Sequence, residues 1–346
     1  MDNKVVFIFG AGASKEAGLP TGVELKKQIS SMLDIRFDHR DQKSGDYVIT
    51  QALRDLVKTE DGRRGDINPY LHQAWHIRDA LPLAISIDNF IDSQRENDEI
   101  KFLGKLAIIR SILEAEKTSK LSFEKDRVDS SIDLNSLAET WYLPFFQLIT
   151  ENCELNDLET RFQSIVLIVF NYDRCIEHFL IHALQKYYKI SEADAAILIS
   201  SISIYHPYGS VGNLPWAEGG NPIEFGQEPR PEQLTQLTEK IKTFTEGTDP
   251  DSSEITAIRE HVLNASKTIF MGFAFHKLNM TLIRPNDIQP RPAGFKCFGS
   301  AYGISESDKE AIKHQINELY SDNVETSIKQ LPCFQLFNEY WRSLAF

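Results

Sequence analysis

Val5-Val6-Phe7-Ile8-Phe9-Gly10-Ala11-Gly12-Ala13-Ser14, continued by Lys15-Glu16-Ala17-Gly18-Leu19-Pro20-Thr21-Gly22, is the stretch on which the reading of this chain turns. Its five consecutive apolar residues fit a strand buried on both faces, and the glycine pair that follows fits a backbone turning sharply into a helix. Without a Cβ at Gly10 and Gly12 the main chain has room to approach a pyrophosphate, and the amides of Ala13 and Ser14 are expected to face it from a helix start. Lys15 stands where the third glycine of the G-x-G-x-x-G fingerprint belongs, so the stretch alone specifies a nucleotide-type turn and no more.

Four later segments repeat the pattern of an apolar run closing on a polar or glycine residue. Ile165 to Phe170 stops at Asn171-Tyr172-Asp173, and Ile202 to Tyr205 stops at His206-Pro207-Tyr208-Gly209-Ser210. Thr268 to Phe273 carries Gly272 near its end, and Phe295 to Phe298 runs into Gly299-Ser300; a further short strand is expected at Ser327-Ile328. Helical periodicity lies between them, as in Ile176, Phe179, Leu180 and Leu184. Alternating strands and helices predict an α/β fold, a Rossmann-like parallel sheet whose strand ends open onto one edge.

Thr21 with Glu24 reads as a capping box, and Leu25, Ile29, Met32 and Leu33 share one helix face. From about residue 34 to 152 the signal is nearly all helical. Asn68-Pro69 reads as a helix start, Phe102, Leu106, Ile109 and Leu113 form a second stripe, 117–132 a loop, and Leu137 and Trp141 a helix bent at Pro144. The expected organisation is therefore a nucleotide-binding domain from 1–33 and 153–346, with 34–152 as a large helical insertion. Residues 211–254, rich in proline and glycine, read as an irregular segment that would suit a lid.

The chain has 346 residues, 42% hydrophobic, with a formal charge of −13. That charge argues against a general polyanion-binding surface, so direct nucleic-acid binding is not expected. No apolar run approaches the roughly 20 residues of a membrane span, and a basic segment leading into an apolar one is absent from the N-terminus. A cytoplasmic protein is expected. Cys153, Cys175, Cys297 and Cys333 form no C-x-x-C pair, so no metal site is expected.

Taken together, these residues carry a resemblance. Gly10-Ala11-Gly12-Ala13-Ser14 with Gly18-Leu19-Pro20 resembles the G-A-G-x-S...G-I-P signature of sirtuins, and Phe170-Asn171-Tyr172-Asp173 is similar to the T-x-N-x-D block of that superfamily. Tyr205 to Ser210 resembles its L-H-G-S block, lengthened by Pro207 and Tyr208, and Ile269 to Asn279 resembles the later strand that contacts ribose. The four-cysteine zinc module of the protein deacylases is missing. The pattern is most similar to the sirtuin-like NAD hydrolases of bacterial antiphage defence.

That resemblance implies NAD as substrate, with no metal. It implies catalytic roles for Asn171, His206 and Asp173, and contacts to NAD from Gly10, Ala11, Gly12, Ala13, Ser14, Gly18, Leu19, Pro20, Gly272, Phe273 and Ser300. It also implies control of the activity, through a homo-oligomer or a partner subunit such as a HerA-like ATPase. A deacylase or ADP-ribosyltransferase using the same pocket, and a non-catalytic NAD or ADP-ribose sensor, stay open as alternatives. Each residue also has an ordinary reading: Asn171 as a turn residue, Asp173 and Ser14 as helix caps, His206 as a loop histidine, Gly272 as a packing glycine.

Overall fold

The computed structural model describes residues 4–59, 61–63, 65–124, 130–220, 222–247, 252–286, 295–320 and 324–346. Parts of the expected loop (125–129) and of the expected irregular segment (221, 248–251) lie outside them. The strands are β1 (Lys4–Phe9), β2 (Arg36–Asp38), β3 (Asp41–Ser44), β4 (Ile165–Val169), β5 (Ser203–Tyr205), β6 (Ala265–Met271), β7 (Lys296–Ser300) and β8 (Glu325–Lys329). Six of them form one sheet in the order β5-β4-β1-β6-β7-β8, every neighbouring pair parallel. The expected Rossmann-like α/β fold is what the chain adopts. From β1 the chain builds outward through β4 and β5, then returns to the other side of β1 and builds through β6, β7 and β8. The order therefore reverses at β1, where open sheets of this kind place their ligands beyond the carboxyl ends.

The residues divide into two compact units. The first takes Met1–Gly18, Lys120–Pro207 and Thr248–Phe346 and contains the whole six-stranded sheet. In β1 the residues Val6, Phe7 and Ile8 are fully buried, which explains why the strand reads as an unbroken apolar run. Phe7 packs edge-on to Phe145 (5.2 Å between ring centres), Phe9 against Trp141 (4.9 Å), and Phe145 in turn against Phe337. One face of the sheet is thus covered by the helices Tyr142–Thr150 and Cys333–Leu344. The aromatic stripe near the end of the sequence is core.

The second unit takes Leu19–Ser119 and Tyr208–Gly247. Its frame is the helices Gly22–Leu33, Asn68–Ala80 and Asp98–Thr118, and the capping box at Thr21 and Glu24 is formed as read. The antiparallel pair β2 and β3 also belongs to it. These limits differ from 34–152 for physical reasons. Helix Gly22–Leu33 packs on its two helical neighbours, whereas Tyr142–Thr150 supplies Phe145 to the sheet. Within 211–254, the segment read as a lid, Ile223, Leu234, Leu237 and Ile241 are buried in this unit. Pro144 lies in the first turn of Tyr142–Thr150, where its missing N–H breaks no helical bond, so it starts the helix and does not bend it.

Two features fix the segment after β1. Gly10 and Gly12 lie against the end of β6: a Cβ on Gly10 would stand 2.7 Å from the Gly272 carbonyl oxygen, and one on Gly12 2.9 Å from Gly272 Cα. The Gly12 amide donates to the Gly272 carbonyl at 3.0 Å. Glu16, just beyond, accepts the Trp141 amide on one carboxylate oxygen (2.9 Å) and the Phe334 amide on the other (3.1 Å), at the starts of the two helices that cover this face of the sheet. An acceptor at two helix N-termini meets donors that the helices cannot satisfy themselves. Burial nevertheless raises its pKa from 4.5 to about 7, outweighing those amides and the Lys120 charge, which act the other way.

Two tests follow from this packing. Gly272 has φ +55°, and a Cβ there would lie 2.0 Å from the Ala13 nitrogen, whereas Gly303 (φ +77°) has open space around it. Gly303→Ala should cost about 1 kcal/mol, for the left-handed backbone alone, and Gly272→Ala roughly 3 kcal/mol or more, measured by urea denaturation. Because the folded pKa of Glu16 lies above its unfolded value, its contribution to stability is full below pH 4.5 and is lost as pH rises to about 7. Glu16→Gln removes that titration, so the urea midpoint of the variant should change less than that of the wild type across this window.

Candidate active site

The strand register brings the sequence-separated segments to one edge. Phe9 pairs with Val169 and with Met271, and Ile168 pairs with Tyr205, so Gly10, Phe170, Gly272 and His206 each follow the end of a neighbouring strand. Side chains from two of these ends meet, and one from a third approaches their loop. The Asn171 amide nitrogen donates to the Gly10 carbonyl (3.0 Å) and to the Ser14 hydroxyl (2.8 Å). Ser14 is hydrogen-bonded in turn to Asp173, and the Asp173 carboxylate accepts the Cys175 amide at 3.1 Å. Ser14, Asn171 and Asp173 are all buried.

This network has a local logic. The strand β4 ends where Asn171 leaves the sheet, and Asp173 accepts an amide two residues on, at the start of the helix Cys175–Tyr188. Asp173 therefore acts as a turn residue ahead of the helix, whose N-cap position is Arg174 and not Asp173, and this coexists with the bond to Ser14. Burial raises the Asp173 carboxyl above its usual range; the bonds from Ser14 and Cys175 act against this, and the nearby charge of Glu177 adds to it.

His206, directly after β5, approaches the same loop. Its Nδ1 lies 3.3 Å from the Asn171 main-chain oxygen, and its Nε2 lies 2.6 Å from Glu177 Oε1. A carbonyl oxygen only accepts, so Nδ1 carries a proton, and a second proton sits between Nε2 and the carboxylate. Burial by itself would hold the imidazolium down, but the Glu177 carboxylate, the Asn171 carbonyl and Asp173 together raise its pKa above the ordinary histidine value. The two side chains are shielded to a similar degree, 15% and 14% exposed.

Glu177 is the site residue that the sequence reading passed over. It lies in the first turn of its helix, four residues after Asp173, among the apolar positions that identified that helix. The sequence carried no signal for it: Asp173 precedes the helix, so the two carboxylates share no helix face, and only the contact with His206 across the fold identifies Glu177.

The remaining candidates sit as follows. The amide of Gly10 donates to Met271 and that of Ala13 to Gly10, so these N–H groups, like that of Gly12, are used within the protein. The room at Gly10 and Gly12, read as space for pyrophosphate, is filled on one side by the Gly272 and Phe273 backbone. Ala11 opens the short helix Ala11–Lys15. Gly272 donates to the Ser300 hydroxyl at 2.7 Å, and Phe273 is buried against Phe170 (5.1 Å). Gly18, with φ +102°, ends this segment, while Leu19 and Pro20 begin the second unit and are buried.

Among the described residues, no group of three or more His, Cys, Asp or Glu side chains is arranged to hold a metal ion, and no helix is long and apolar enough to cross a membrane. A cavity of about 580 Å³ opens elsewhere in the first unit, beside Ser131, Leu134, Phe179, His182, Lys186 and Lys189, and none of the candidate residues lines it. Chemically, the strand-end cluster offers a carboxylate and imidazole that share a proton, next to a buried amide, hydroxyl and carboxyl. Comparison with known proteins gave no matching family model and no match among curated proteins.

Proposed function

We propose that this chain cleaves the bond between nicotinamide and ribose in NAD, releasing nicotinamide and ADP-ribose. The observation that carries the proposal is the convergence of Ser14, Asn171, Asp173 and His206, from the ends of β1, β4 and β5, at the edge of the sheet where its strand order reverses. Nicotinamide departs as a neutral base from a cationic ring, so its departure needs no acid. The site has to support an oxocarbenium-like ribose and activate a water.

Polar groups held in advance suit that task, since they need not reorganise as charge develops. With its nitrogen committed to Gly10 and Ser14, Asn171 offers its amide oxygen to a ribose hydroxyl or to the attacking water. Asp173 orders the loop through Cys175 and Ser14, and His206 handles the proton together with its carboxylate partner. An enzyme of this kind depletes a shared cofactor, so we place it as an effector of antiphage defence whose activity is released by self-assembly or by a separate partner subunit.

The test is incubation of the purified protein with NAD, alone and with the product of its neighbouring gene, followed by chromatography. Nicotinamide and ADP-ribose in equal amounts are the expected products. Asn171→Ala and His206→Ala should each lower the rate by roughly 100-fold or more. ADP-ribose attached to an acceptor would indicate transfer, acetyl-ADP-ribose in the presence of an acylated peptide would indicate deacylation, and tight NAD binding without turnover would indicate a sensor.

A further inference from the structure

The pairing of His206 leaves a question of proton chemistry. Both ring nitrogens are occupied, Nδ1 by the Asn171 carbonyl and Nε2 by Glu177 Oε1. An imidazole held in this way has no lone pair to offer a water unless one of these bonds breaks.

The second carboxylate oxygen is in a different position. Glu177 Oε2 is buried and has no hydrogen-bond partner. A buried acceptor without a donor is costly to fold, and such atoms in native proteins are commonly completed by a water or a ligand hydroxyl. Here the orphan oxygen belongs to the carboxylate that His206 grips, on the helix that begins directly after the Asn171-Tyr172-Asp173 loop. Oε1 is fixed by the imidazole, so the direction of Oε2 is fixed as well.

We infer that Glu177 Oε2 is the atom that accepts the proton from the attacking water, and that His206 orients the carboxylate and balances its charge. This inference rests on the proposed NAD hydrolysis and names the base for it. In the step, a water O–H bond breaks and its proton goes to Oε2. The water oxygen bonds to ribose C1′, the C1′–N bond breaks, and its electron pair leaves with the nicotinamide nitrogen. No further oxidant, reductant or co-reactant is required.

Glu177→Gln separates this role from a structural one. The variant keeps an oxygen to accept from His206 Nε2 and nearly the same shape, and replaces the orphan acceptor by an NH2 group. The expected result is a kcat about 100-fold or more below wild type, with Tm and the Kd for NAD little changed. A kcat within threefold of wild type, or a loss matched by an equal loss of NAD affinity, overturns the inference. Should the Gln variant be less stable than wild type, Glu177→Asp carries the test: it keeps the charge but withdraws the carboxylate, and a kcat reduced at least tenfold is expected where an unchanged kcat overturns the inference. Wild-type protein that leaves NAD intact both alone and with its neighbouring gene product would refute the NAD reading itself. An active wild type with unaffected Glu177 variants refutes only the assignment of the base.

Discussion

The contact between the ends of β1 and β6 is made backbone to backbone, and the arrangement of the strand-end site depends on it. Gly10 and Gly12 on one strand end and Gly272 on the other approach so closely that a methyl group on any of the three would collide with main-chain atoms. Main chain cannot yield as a flexible side chain can, so the three glycines set the separation of the two loops. Once that separation is set, the Gly10 carbonyl is in place to accept from Asn171, and Ser14, one helical turn further on, is in place to accept as well. The glycines of this sheet thus act first on protein packing, and through it on where the polar groups stand.

A second constraint is the handling of carboxyl groups near the carboxyl edge of the sheet, where Asp173 is buried and Glu16 and Glu177 are half-buried. Each is stabilised differently. Glu16 accepts amides from the starts of two helices, Asp173 accepts an amide and a hydroxyl, and Glu177 has an imidazole on one oxygen and no partner on the other. Burial raises Glu16 and Asp173 toward their neutral forms despite those bonds, and the bonds themselves tie loops and helix starts together. Glu177, with the His206 imidazole on one oxygen and the other oxygen open, is placed to take part in proton transfer.

Much of the fold was legible because a parallel sheet covered on both faces leaves an unmistakable trace. Val5 to Phe9 and Ile165 to Val169 are apolar at every position since neither face meets solvent. Unit boundaries left no such trace. Whether the helix Gly22–Leu33 or the segment around Phe145 belongs with the sheet is decided by what each packs on, and helical periodicity is the same in either case. Of the site, the residues at strand ends were legible because loops at that edge stand out against apolar runs. Glu16 and Glu177 were not, because each lies in a helical stretch where a glutamate is ordinarily a solvated residue; only tertiary contacts, across 125 and 318 residues for Glu16 and 29 for Glu177, make them structural or chemical groups.

The ordinary and the chemical readings of the strand-end residues are usually set against each other, yet here they describe the same atoms. Asp173 turns the chain ahead of a helix and bonds Ser14; Asn171 is a turn residue whose amide also ties two loops; Gly272 is a packing glycine whose amide holds Ser300. Groups committed in this way have little freedom left, and a site built from them is rigid before any ligand arrives. It follows that reactivity has to reside in whatever the network leaves uncommitted. Along this edge the Gly10, Gly12 and Ala13 amides are spent on the protein itself, and an acceptor left without a partner beside them is Oε2 of Glu177, the carboxylate whose other oxygen meets His206. Preorganisation and reactivity are therefore divided between neighbouring strand ends: the loops after β1, β4 and β6 supply the fixed frame, and the histidine after β5 meets a carboxylate that still has an atom to offer.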